Sequence, residues 1–246
     1  MSISRIWWIF QKEVSALFGS LVAYVVVVLF LIIVGGMFWV PFFEEVSPVT
    51  MRSFFMQAPL FLCFFVPALT MHMFASEEQS GTLELMMTLP IARVELVLGK
   101  FLAAYVLLLA ALGMTLTYPL TLHILASQQG VWLDFGECLA GYLGLMLLGG
   151  AYTAIGVMGS SLTRDQVVSV LVSFALCFAL FMCDQLGEVL GLGGDALLGV
   201  QYLSTSYHFK AISRGLLSMA DVVYFLSVMV CALAVTTARQ GTRRIG

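Results

Sequence analysis

Three groups of residues in this chain have the types that chemistry uses. The first is Met71-His72-Met73, because thioether and imidazole both bind soft metals such as copper. Consecutive residues on a helix point about 100° apart, however, so three in a row cannot close on one ion. The second is Gly99-Lys100, the Gly-Lys pair that a phosphate-cradling loop would need. It lacks the upstream glycine of GxxxxGK[ST], and Phe101 stands where Ser or Thr would follow. The third is the five cysteines, Cys63, Cys138, Cys177, Cys183 and Cys231. They are odd in number, have no CxxC spacing and lie mostly inside apolar runs, so they read as small apolar residues rather than a disulfide framework. No catalytic, cofactor-binding or metal-binding residue is therefore expected, and the chain is not expected to be an enzyme.

The elements that would position any such group are set by composition. Of 246 residues, 61% are hydrophobic and only 10% charged, with a mean hydropathy of +1.03. A soluble domain is about one-quarter charged, so most of this surface must face lipid. A net charge of −3 leaves no basic footprint for nucleic acid. Runs of about 20 apolar residues are needed to cross a bilayer as helices. Six qualify: about 21–40, 58–75, 98–122, 137–160, 167–185 and 222–238. The expected fold is an all-α integral membrane protein with a single domain over 1–246. The first run is too long for a signal-peptide core and is expected to stay as a span. The span centres hold no charge, which disfavours an ion-coupled carrier. His72, His123, Asp184 and Glu188 lie near span ends, where interfacial placement is expected.

With the N-terminus inside, the inner side carries Arg5, Lys12, Arg93, Lys100, Arg164, Arg239, Arg243 and Arg244. The outer side then holds only Arg52, Lys210 and Arg214, as the positive-inside rule requires. Both termini are expected in the cytoplasm, in a bacterial inner membrane. The N-terminal ISRIWWIFQKEVSALFGS sets Ile6, Ile9, Phe10 and Leu17 against Arg5, Lys12 and Glu13, as a helix lying along the inner interface would. The outer connection 186–221 is too apolar for a free loop and is expected to be re-entrant or interfacial. The fourth run holds Gly141, Gly144, Gly149, Gly150, Gly156 and Gly159, with small residues four apart at Ala140/Gly144, Gly150/Ala154 and Gly156/Ser160. That spacing suits close helix packing within the chain, a dimer face or a substrate path alike.

Charge concentrates instead in SEEQSGTLELMMTLPIARVELVLGK, residues 76–100, which holds six of the 25 charged residues. Gly81 frees the chain to turn, Thr82 is a good N-cap, and Glu84 opposes the helix dipole in the first turn. Leu83, Met86 and Met87 recur at i, i+3 and i+4 on one face, and Pro90 stops the helix while starting the next. Arg93, Glu95 and Lys100 are expected at the wet end of the third span. A helix this short needs a surface to dock on. Glu77, Glu78 and Glu84 argue against the anionic leaflet, so a grooved protein partner is favoured.

This stretch resembles the cytoplasmic loop of type-2 ABC transporter permeases, E-x-x-x-G-T-L-E-x-L-L-x-x-P-x-x-x-x-E-x-x-x-G-K. The match runs without gaps through Glu78, Gly81, Thr82, Leu83, Glu84, Pro90, Glu95, Gly99 and Lys100. KEVSALFGSLVAYVVVVLFL from Lys12 and YHFKAISRGLLSMADVVYFLS from Tyr207 look like the approaches to the first and last spans in the gliding-motility (GldF-like) branch. His72 stands where an arginine is usual, and Ser20-Leu21 replaces Ser-Pro. The resemblance implies a six-helix permease half of an exporter, pairing with an identical or related half above two cytosolic ABC ATPase subunits. ATP and Mg2+ would sit in those subunits. Gly81, Thr82, Leu83, Glu84, Met86, Met87 and Pro90 would form the coupling segment, with Leu83–Leu89 as the coupling helix. An extracytoplasmic auxiliary protein is a further partner it allows, alongside membrane lipid. Two rivals remain at this stage: a complex of the same fold that passes motion to an outer partner without bulk transport, and an ATP-independent channel or carrier.

Overall fold

The computed structural model of the chain describes residues 3–44, 51–82, 92–128, 134–191 and 194–242. These residues form helices throughout, with no strand among them. In chain order they are α1 (Ile3–Phe18), α2 (Leu21–Glu44), α3 (Arg52–Thr70), α4 (Ala75–Gln79), α5 (Arg93–Thr115), α6 (Thr117–Gln128), α7 (Phe135–Leu162), α8 (Gln166–Val189), α9 (Asp195–Leu203), α10 (Thr205–Ser213) and α11 (Met219–Thr242). Six stretches are long and apolar enough to cross a membrane: Leu21–Trp39, Arg52–Gln79, Arg93–Leu125, Phe135–Leu162, Gln166–Gly187 and Met219–Gly241. They lie over the six runs read from the sequence.

α7 is the hub. In its span window 72% of residues are buried, against 22% for α8 and for α11, whose outer faces are left for lipid or another chain. The glycines of α7 explain this position, because each lets a different neighbour come close. A Cβ at Gly141 would strike Phe55 of α3, one at Gly149 Leu108 of α5, and one at Gly159 Ser173 of α8. Of the readings left open by the small-residue spacing, packing within the chain accounts for these positions.

α5 and α6 make one long span broken at Leu116. Pro119 has no N–H for the Thr115 carbonyl four residues back. That carbonyl instead accepts from the Tyr142 hydroxyl of α7 at 2.9 Å, so the break is stitched to the hub. The segment before the last span folds back between helices of the bundle. The Ser204 hydroxyl, at the α9–α10 corner, donates to the Phe181 carbonyl of α8 (3.3 Å), and Thr205 meets the Tyr152 hydroxyl of α7 (3.0 Å). Tyr152 lies about 25 Å along α7 from its first residue at 1.5 Å per residue, so the corner is sunk deep between helices.

Three acidic groups expected at wet interfaces, Glu13, Glu95 and Asp184, are buried instead, and so is Asp221. Asp184 pairs with Lys210 of α10 at 2.8 Å and accepts from Ser204 at 3.2 Å. Asp221 meets His208 Nδ1 at 2.6 Å, while the opposite ring nitrogen faces the Tyr202 carbonyl at 3.0 Å. These pairs lock α10 to α8 and to α11. Among the described residues every ion pair lies toward one end of the bundle or the other, and the middles of the spans carry none.

Candidate functional site

The two ends of the charged segment between the second and third spans are held by a foot built by α1, α4, α5 and α7. Leu83, Glu84, Met86, Met87 and Pro90 lie outside the described residues, so the foot is defined by what stands on either side of them. On the near side, α4 ends in a tight turn. Ser80 N–H donates to the Ser76 carbonyl (3.0 Å) and Gly81 N–H to the Glu78 carbonyl (3.2 Å). Gly81 has φ +72°, in the left-handed region that glycine enters without cost. The Thr82 hydroxyl turns back to donate to the Glu77 carbonyl at 3.3 Å and meets Ser80 Oγ at 2.9 Å. Gly81 and Thr82 are both exposed.

On the far side, α5 starts at Arg93. The Glu95 carboxylate reaches back to accept from Ala92 N–H at 3.1 Å and so caps the helix. Glu95 is 1% exposed and Lys100 0%, so of the three residues expected at the wet end of this span only Arg93 is exposed. The reason lies in α1. Ile9, Glu13 and Leu17, four residues apart, form one buried line that packs along the start of α5. Gly99 makes room for it, because a Cβ there would meet Ile9. Trp7 and Trp8 remain exposed on the other face.

At the centre of the foot the Lys100 ammonium sits 2.8 Å from Glu77 and 3.0 Å from Glu13, with the Phe74 ring 5.3 Å from Nζ. Lys12 stands at the rim, 3.7 Å from Glu13 and 3.9 Å from Glu77. Two carboxylates and two ammoniums sum to zero charge, which is what a buried cluster requires. The cluster ties the N-terminal helix, the end of the second span and the start of the third into one knot. Glu78 pairs with Arg164, in the connection between α7 and α8, at 2.9 Å. Glu77 and Glu78 are thus used within the chain, so their charge no longer counts against a lipid docking surface, while Glu84 lies outside the described residues.

Ser160 of α7 completes the foot. Its hydroxyl accepts from Phe74 N–H (3.0 Å) and Ala75 N–H (3.1 Å) and donates to the Met71 carbonyl (2.9 Å). These backbone groups are freed where α3 ends and α4 begins, and one buried side chain satisfies all three. Ser160→Ala should cost about 1–3 kcal/mol, because two buried N–H donors lose their acceptor. Thermal unfolding of the purified variant in detergent measures it, and an unchanged midpoint would remove Ser160 from this role. The sequence marks Ser160 only as a small packing residue, and it gives no sign of the Glu13–Lys100 pair as such. The signal was present in Glu13, a charge on an otherwise apolar stripe.

The loop, its two anchored ends and the six spans agree with a comparison of the whole sequence. A family model described as ABC-2 family transporter protein matches residues 7–239. The chain belongs to the ABC-2 transporter family. Membranes of this family are crossed several times by non-catalytic permease subunits that usually work with a cytosolic ATPase partner, and the chain is a multi-pass membrane protein of that kind. No curated protein matches it.

Proposed function

We propose that the chain is the permease half of an ABC exporter whose 83–91 loop takes motion from a cytosolic ATPase. The observation that carries this reading is the mounting of the loop. Its near end is held by Glu77 and Glu78 and its far end by the Glu95 cap, so force applied between them reaches α1, α3, α5 and α7 together. A loop that served only to connect spans would need no such foot. In this reading Gly81 and Thr82 launch the segment, Leu83, Met86 and Met87 fill a groove of the ATPase, Glu84 meets a basic residue there, and Pro90 returns the chain to the third span. Two ATPase subunits, each with its own ATP and Mg2+, sit beneath two permease halves, identical or related. The GldF-like branch is the finer assignment, resting on the sequences from Lys12 and Tyr207.

The same reading places the chain in a bacterial inner membrane with both termini cytoplasmic. α1, α4, the Arg164 connection and the end of α11, where Gly241 lies against the Arg93 guanidinium, then share the inner side. In a cysteine-free background, Gln79→Cys should be shielded from an impermeant thiol reagent in intact cells and Ser218→Cys labelled. Labelling at position 79 without lysis would overturn the orientation and, with it, ATPase docking at this loop. The alternative of a complex that passes motion to an outer auxiliary protein keeps the same foot. ATP-driven substrate flux in reconstituted vesicles separates the two, and a phenotype independent of any ATPase would favour a channel or carrier.

A further inference from the structure

A second site lies at the opposite end of the bundle, away from the loop. A cavity of about 620 Å³ opens between the start of α3, the start of α7, the end of α8 and α10. Arg52, Lys210 and Arg214 all line it. These are every Lys and Arg that the sequence places between the spans at this end, so the whole positive charge of this side converges on one hollow. Lys210 is held at its edge by Asp184 at 2.8 Å. Arg52 and Arg214 are exposed and make no ion pair among the described residues. Glu137 is the one acid in the lining, so the cavity keeps a surplus of positive charge.

The rest of the wall is apolar: Phe55, Met56, Phe181 and Phe209 among others. Met56 is 71% exposed on α3, inside a candidate span, so this wall runs out onto a surface that faces lipid. Two guanidiniums with no ion-pair partner among the described residues, beside a greasy wall that continues into the bilayer, match a molecule with an anionic head and an apolar tail. Arginine forks suit phosphate oxygens in particular. The volume falls within the range of small-molecule sites. We propose that this cavity binds the phosphate headgroup of a single anionic amphiphile, with the first part of its tail against Met56 and Phe181. The site needs no ATPase and stands whether or not the loop at the other end couples to one.

The test uses the full-length protein in neutral detergent and reads lipid retention by native mass spectrometry. Phosphatidylglycerol should be held about tenfold better than phosphatidylcholine, whose headgroup carries no net charge. Arg52→Gln with Arg214→Gln should bring phosphatidylglycerol down to the phosphatidylcholine level. Glu137→Gln, which removes the one acid, should raise it, and this variant decides the matter should the double variant fail to fold. Glycerol 3-phosphate, the soluble head alone, should compete only weakly. Equal retention of the two lipids, unchanged retention in the double variant, or no gain from Glu137→Gln would overturn the site. Competition by glycerol 3-phosphate as strong as by the lipid would make it a site for free phosphate and overturn the amphiphile.

Discussion

Lys100→Met should unfold or strongly destabilise the protein. The substitution keeps the length and apolar stem of the side chain but removes the ammonium 2.8 Å from Glu77 and 3.0 Å from Glu13. Two carboxylates, both mostly buried, would then face each other with only the rim ammonium of Lys12 nearby. Breaking one side of a buried pair costs about 3–5 kcal/mol, against a total stability for a folded domain of about 5–15 kcal/mol. The measurement is folded yield by size exclusion and the thermal midpoint in detergent. Combining Lys100→Met with Glu13→Gln and Glu77→Gln should restore most of the loss, since no charge is then stranded. Lys12→Met should change stability by less than about 1 kcal/mol, because its side chain is 56% exposed and its contacts are long. A Lys100→Met protein that melts like the parent would show that the cluster is not what joins α1 to the foot of the spans.

Replacing Met86 and Met87 together with Asp should abolish function while leaving the spans inserted. The change lies between the spans, so it alters none of the apolar runs that drive insertion. Burying a methionine side chain contributes about 1.5–3 kcal/mol, so losing two from a docking face should weaken ATPase binding at least about a hundredfold. Glu84→Lys should impair coupling less, and the opposite swap in the ATPase should restore it, because a charge pair at such an interface governs specificity more than affinity. If the helix instead packed under its own spans, the double substitution would lower the amount of folded permease, and what survived would still hold the ATPase.

The spans were legible because lipid leaves little choice: a run of about 20 apolar residues has to be a helix. The apolar face of α1 was legible for the same reason, from Ile9 and Leu17. Glu13 was not, because a charge on an amphipathic helix is ordinarily solvated and its partner Lys100 is 87 residues away in the chain. Lys100 in turn was hidden by its place in a Gly-Lys pair, whose glycine admits α1 and whose lysine anchors it. Pairing across that distance is a property of the packed bundle. Ser160 illustrates a second limit. Its spacing from Gly156 marked it as a small packing residue, and it is one, yet its three hydrogen bonds depend on backbone groups that open only where α3 gives way to α4. The pairing of the two acids at the head of the loop was hidden in the same way, because their cations, Lys100 and Arg164, come from distant parts of the chain.

Membrane fractionation, with permease and ATPase quantified in the same sample, tests the central claim most directly. Cells carrying the Met86→Asp, Met87→Asp permease should show it in the membrane near the normal amount, while the ATPase moves to the soluble fraction. A double variant inserted at the normal level that still keeps the ATPase on the membrane would contradict coupling through residues 83–91.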